Sequence, residues 1–235
     1  MASLICGSIA YDTIMTYEGR FRDHILPEQI HILNVSFLVP QMRREFGGCA
    51  GNIAYTLKML GGEPMVMATV GGDADPYLAH LRQLDISVEH VRVLPEQFTA
   101  QAMVTTDLDN NQITAFHPGA MTYSAQNRID QASGFSLGIV APDGRDGMLE
   151  HARQFSDLGV PFVFDPGQGM PMFDGADLRH FVELANYVAV NDYEGRMLTE
   201  RTGLSLEQIA SQVEALIVTL GEHGVEIYAG GKRYM

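Results

Sequence analysis

The sequence predicts an α/β fold in which helices cover both faces of a mostly parallel central sheet. Two patterns carry that prediction: from Met65 onward, short apolar runs alternate with amphipathic helical stretches, and most of the runs stop at Gly, Pro, Asn or Asp. A third observation, two β-like runs around Asp109-Asn110-Asn111, predicts a hairpin set apart from that alternation.

The elements follow in order. Ser3 to Ile9 (SLICGSI) reads as a buried strand feeding a loop, which puts Asp12 at its C-terminal rim. From Tyr17 to Phe46 the pattern is mixed, with the run HILNVSFLV between Pro27 and Pro40, and it reads as strands outside the main sheet. Ala50 to Leu60 has helical spacing and stops at Gly61-Gly62. Met65 to Val70 is a strand, followed by Gly71-Gly72-Asp73 and a helix from about Pro76 to Leu84. The hairpin arms are Ala100 to Thr106 and Gln112 to Phe116, expected to pair with the Tyr17 to Phe46 strands as a lid made of segments 13–46 and 98–120. Strands at Leu137 to Ala141, Pro161 to Asp165, Tyr187 to Val190 and Ala215 to Leu220 then alternate with helices at Gly147 to Leu158, Ala176 to Leu184, Tyr193 to Arg201 and Leu206 to Val213. Val225 to Ala229 and Lys232 to Met235 form a last hairpin that stops inside its second arm, so the expectation is one α/β domain over residues 1–235 whose C-terminal part is missing.

Composition narrows the partners. With 235 residues and 46% hydrophobic composition the chain can bury a full core. A formal charge of -14 leaves no broad cationic face for a nucleic acid backbone, although backbone N–H groups at a helix start can still hold a small anion. Cys6 and Cys49 belong to no metal-spaced set, and no apolar run suits a signal peptide or a membrane span, so a cytoplasmic protein with no membrane partner is expected.

In a parallel sheet, ligands gather outside the strands' C-terminal ends, so the polar residues there are the candidates. Gly47-Gly48-Cys49-Ala50-Gly51-Asn52-Ile53-Ala54 lets backbone N–H groups approach a ligand at a helix start, with Asn52 able to donate and accept; a tight turn into a well-packed helix is the plain alternative. Gly61 follows after six further residues and Gly71 after nine more. No Walker A loop and no G-x-G-x-x-G after the first strand occur, which argues against P-loop and dinucleotide-dependent chemistry.

This spacing resembles the N-terminal signature of the ribokinase-like carbohydrate kinases, the PfkB family, and the resemblance runs through nearly the whole chain. Gly7-Ser8-Ile9-Ala10-Tyr11-Asp12 is similar to the family's first strand and substrate aspartate, Asn191-Asp192-Tyr193-Glu194 to its N-x-x-E motif, and Thr219-Leu220-Gly221-Glu222-His223-Gly224 to its T-x-G-x-x-G nucleotide loop. The resemblance implies a three-layer ribokinase-like fold, a mostly parallel central sheet with a small β-sheet lid, truncated at the C-terminus. It also implies ATP-dependent phosphoryl transfer to a hydroxyl of a sugar or nucleoside, with Mg²⁺.

On that pattern Asp12, Gly47, Gly48, Asn52 and Phe116 are substrate-binding candidates, an ionised Asp12 accepting from neighbouring sugar hydroxyls and Phe116 covering a base or sugar. Asn191, Thr219, Gly221 and Gly224 are nucleotide-binding candidates. Glu194 and Asp165, the latter in Asp165-Pro166-Gly167-Gln168-Gly169, are candidates for a hydrated Mg²⁺, the alternative for Asn191 and Glu194 being a helix cap. The family's base is an aspartate in a G-x-G-D segment; residues 1–235 contain none, so it is expected beyond Met235 and this chain by itself is expected to be inactive.

Ribokinases resemble G-G-K-G-A-N at the signature, and Cys49 stands where that lysine would. With Phe116-His117-Pro118-Gly119-Ala120 and Asp143-Gly144-Arg145-Asp146-Gly147, the resemblance is nearest to bacterial members called adenosine kinase or carbohydrate kinase. Adenosine is therefore the favoured acceptor; the alternatives are a free sugar such as ribose or fructose, or a non-catalytic nucleoside-binding protein. The lid is also one surface through which such proteins form homodimers.

Overall fold

The computed structural model describes residues 2–25, 32 and 34–235. Nine strands form the main sheet: β1 (Ala2–Cys6), β4 (Glu63–Gly71), β5 (Ser87–Leu94), β8 (Phe135–Val140), β9 (Phe162–Phe164), β10 (Tyr187–Asn191), β11 (Ala215–Thr219), β12 (Val225–Ala229) and β13 (Lys232–Tyr234). Their order is β13-β12-β11-β10-β9-β8-β1-β4-β5; pairing is parallel from β5 to β11 and antiparallel at β12 and β13. The helices are α1 (Cys49–Met59), α2 (Asp75–Gln83), α3 (Arg145–Asp157), α4 (Gly175–Leu184), α5 (Asp192–Thr202) and α6 (Leu206–Ala210).

Side chains alternate across a strand, so each strand feeds two cores. Ile5 of β1 and Val66, Ala68 and Val70 of β4 pack with Ala50 and Ala54 of α1 and Leu78 and Leu81 of α2. Their neighbours Leu4, Cys6 and Met67 turn to the opposite face, where Phe155, Phe181, Leu198 and Ile209 from α3 to α6 close the second core. Three layers result, in the ribokinase-like arrangement.

Four further strands make the lid: β2 (Ala10–Thr16), β3 (Gln41–Gly47), β6 (Ala100–Thr106) and β7 (Gln112–His117), in the order β3-β2-β6-β7. Three expectations change here. The first strand ends at Cys6, and Gly7 and Ser8 carry the chain out of the main sheet, so Asp12 lies on lid strand β2 and not at a strand rim. A Cβ at Gly7 would sit 3.1 Å from the Ala141 Cβ and 3.2 Å from that of Ala50, which is why a small residue marks the exit. Second, the hairpin joins the lid through parallel pairing of β6 with β2, while within 17–46 the described residues supply only the strand Gln41–Gly47. Residues 34–39 of the HILNVSFLV run carry no strand, and His31, Leu33 and Pro27 lie outside the described residues. Third, β5 went unanticipated because Glu89, His90 and Arg92 interrupt its apolar pattern, as suits an edge strand.

Among the described residues no helix is long and apolar enough to cross a membrane.

Candidate active site

The glycine signature acquires a physical reason at each position. Gly48 precedes α1 with φ +85°, and a Cβ there would stand 2.6 Å from both Ala10 N and Ser8 O. Ser8 fixes the start of α1, its Oγ accepting from Cys49 N (3.0 Å) and its carbonyl from Ala50 N (2.9 Å). At Gly47 a Cβ would collide with the Asp12 carboxylate, so Gly47 makes room for that group without itself lining the cavity. The Tyr77 hydroxyl donates to Gly47 O at 2.7 Å and holds the turn from below.

Across the lid, Asp12 of β2 is the register partner of Ala102 on β6, which is the partner of Phe116 on β7. One row of the lid therefore presents a carboxylate, a small apolar residue and an aromatic ring to the same cavity, of about 520 Å³. Gly48, Cys49 and Asn52 at the start of α1 line it, as do Pro142 and Asp143 after β8 and Gln168, Gly169 and Met172 after β9. Met121 and Thr114 also line it. Volume and mixed lining match a small-molecule site. Of the substrate candidates, Asp12, Gly48, Asn52 and Phe116 thus meet at one cavity, and Gly47 backs it.

Burial raises the Asp12 carboxyl above its ordinary value. Cys49 is pushed up to about 11 by burial and by the charges of Asp165, Asp143 and Asp12, so it offers a neutral thiol. Asp143 was overlooked as a site residue. It is 1% exposed; its Oδ1 accepts from Gly144 N at 2.9 Å, and its Oδ2 has no partner. Burial pushes it up to about 8, which favours the protonated carboxyl at neutral pH. An Asp-Gly pair reads as a turn in sequence, and no local signal marks such burial.

The other candidates gather at the ends of β9, β10 and β11, beyond the cavity lining. Asn191 and Thr219 are register partners at the ends of β10 and β11. Asn191 Oδ1 accepts from Glu194 N, and Glu194 Oε2 accepts from Asn191 N, each at 2.8 Å. The capping box is therefore present at the start of α5, and one carboxylate oxygen of Glu194 is left over for another role. Half-buried Asp165 after β9 is raised to about 6, chiefly by burial and then by the negative charge of Glu194, so the two carboxylates feel each other. Gly221 and Gly224 bound a short turn with φ +60° and +95°, exposed like Thr219.

The model of the pfkB family carbohydrate kinases matches residues 8–235. The chain belongs to that family. A nucleoside kinase from Burkholderia thailandensis, solved in complex with inosine, is 58% identical to this pfkB-family chain with a TM-score of 0.88, over 99% of this chain and 74% of that one. The same enzyme in complex with ADP-inosine aligns at 60% identity and a TM-score of 0.84, over 99% and 73%. The nucleoside kinase of Methanocaldococcus jannaschii is 29% identical over 202 residues, covering 85% of this chain and 66% of that relative. The chain thus spans just under two thirds of the length of the curated relatives it matches.

Proposed function

We propose that this chain carries the acceptor site and part of the nucleotide site of a kinase that transfers the γ-phosphoryl group of ATP to a hydroxyl of a nucleoside. The observation that carries the reading is a cavity of mixed lining: Asp12, Asn52 and Asp143 are among its polar residues, and Phe116, Met121, Met172 and Ala102 among its apolar ones. A ribose needs the polar residues and a base the apolar ones, whereas a free sugar would leave the apolar lining unused. Adenosine is the first candidate, and inosine enters on its complex with the Burkholderia thailandensis relative.

In this reading Asp12 and Asn52 accept from ribose hydroxyls, the α1 start at Gly48 lets the sugar approach backbone, and the lid excludes water. Thr219 and Gly221 offer a hydroxyl and a backbone N–H group to the nucleotide phosphates, on a turn that Gly224 closes by donating its own N–H to Gly221 O at 3.2 Å, with Asn191 beside them. Asp165 and Glu194 are oxygen donors close enough for their charges to interact, which fits a Mg²⁺ ion that keeps most of its waters. Among the described residues no group of three or more His, Cys, Asp or Glu is placed to hold a metal ion. Mg²⁺ held there would offset negative charge on the phosphates. None of these side chains is given the role of base; the family resemblance assigns it to an aspartate of the G-x-G-D segment.

Calorimetric titration with adenosine, inosine, ribose and fructose tests the reading. Binding of a nucleoside well above either sugar is expected; a folded chain that binds a free sugar and neither nucleoside would overturn it.

A further inference from the structure

One residue of the α/β layer, Asp73, meets three of the four lid strands, β3 and β6 through its carboxylate and β2 through its backbone carbonyl. Asp73 follows Gly71-Gly72 at the C-terminal end of β4, outside the cavity lining. Its Oδ1 accepts from Thr99 N at 2.7 Å, immediately before β6. Its Oδ2 takes the Gln101 amide of β6 at 3.5 Å and the Arg44 guanidinium of β3 at 3.4 Å, and its carbonyl accepts from the Tyr11 hydroxyl of β2 at 3.1 Å. Arg44 also lies over the Tyr11 ring, 3.6 Å from its centroid, which ties β3 to β2 at the same point.

Strand alternation turns these pins into a device for the cavity. Tyr11 and Gln101 are register partners, and the next pair along the same strands is Asp12 and Ala102, which line the cavity from the opposite face. Holding the outer pair fixes the inner pair, and Ala102 is in turn the partner of Phe116. The contact is also close in the backbone: Gly71 N donates to Thr99 Oγ1 at 3.1 Å, and a Cβ on Gly71 would collide with the backbone of Gln97, Phe98 and Thr99. Burial raises the Asp73 carboxyl, but the hydrogen bonds from Thr99 and the Arg44 charge outweigh it and leave the group below its ordinary value, as befits an acceptor of several donors.

We propose that Asp73 is the positioning residue of the lid, setting through Tyr11, Gln101 and Arg44 where Asp12 and Phe116 meet the acceptor without touching it. The substrate arm of the test rests on the nucleoside reading; the lid arm does not.

Asp73→Asn keeps the size of the side chain and turns an NH₂ group against donors that now meet oxygen. In that variant the nucleoside Kd is expected to rise about tenfold by calorimetry, from the loss of one or two charge-assisted hydrogen bonds, with ADP affinity within about twofold. Amide hydrogen exchange of the free protein should quicken in β2 and β6 and stay unchanged in β8 to β11. Arg44→Met should shift both readouts the same way by about threefold. Should Asp73→Asn fail to fold, the double variant Arg44→Met/Gln101→Leu removes both side-chain donors to Oδ2 and carries the same expectation. Wild-type nucleoside affinity and lid exchange in a folded variant would overturn the proposal. So would a parallel loss of nucleoside and ADP binding with exchange rising throughout, which marks general destabilisation. If the wild-type chain binds no nucleoside, the functional reading fails, and lid exchange alone decides the role of Asp73.

Discussion

At the lid end of the sheet edge, Asp12, Gly48 and Asp143 stand around a covered cavity whose burial raises both carboxylates, whereas at the β11 end Thr219, Gly221 and Gly224 form an exposed turn with open space around it. The end proposed for the acceptor is shaped by close backbone approach at Gly48 and by lid strands hydrogen-bonded to Asp73. The end proposed for the nucleotide offers the exposed hydroxyl of Thr219 on a strand-turn-strand. Preorganisation costs stability where polar groups are buried, and it repays that only in ligand contacts.

The sharpest test of that contrast is the acceptor carboxylate. Asp12→Ala should weaken nucleoside binding by about 100-fold, from the loss of two charge-assisted hydrogen bonds, and leave ADP binding nearly unchanged; calorimetry with each ligand separately reads the split. Equal losses for both ligands would erase the division into two ends.

Next come two glycines that share a positive φ. Gly48→Ala must push against Ala10 N and Ser8 O as well as adopt φ +85°, and should destabilise by about 2–4 kcal/mol. Gly221→Ala, with φ +60° and nothing within 4 Å of its Cβ, should cost only about 1 kcal/mol. Thermal melting of the pair measures the difference, and similar melting points would mean the lid end is no more tightly built than the turn.

Asp143 sharpens the comparison through pH. Its carboxyl titrates at about 8 in the fold against an ordinary value of 3.8, so the native state holds a proton that the unfolded chain has released. The stability this contributes is full below the ordinary value and is lost as pH rises through about 8. Wild type should therefore lose more melting temperature between pH 5 and pH 8 than Asp143→Asn, by at least about 2–4 °C. Parallel profiles would show that Asp143 is ionised in the fold.

The smallest effect belongs to the open end. Thr219→Val removes one exposed hydroxyl and should weaken ADP binding by about three- to tenfold, with nucleoside affinity and melting point unchanged. A change in nucleoside affinity there would couple two ends that the structure keeps apart.

The residues by themselves determined the alternation of strands and helices, the parallel core and the lid hairpin, and named four residues that meet at one cavity, because apolar periodicity and glycine spacing are local properties that a one-dimensional reading captures. Val225–Ala229 was predicted to the residue, and Asn191-x-x-Glu194 announced the cap it forms. Four features needed the third dimension. Strand β5 is an edge whose Glu89, His90 and Arg92 obscure its pattern; Asp12 changed sheets because Gly7 and Ser8 turn the chain between Ala50 and Ala141. Asp143 and Asp73 acquired their character from elements distant in sequence: burial with an unpartnered oxygen for one, and donors from three lid strands for the other. Burial and long-range hydrogen bonding are set by which segments pack together, and only the tertiary structure decides that.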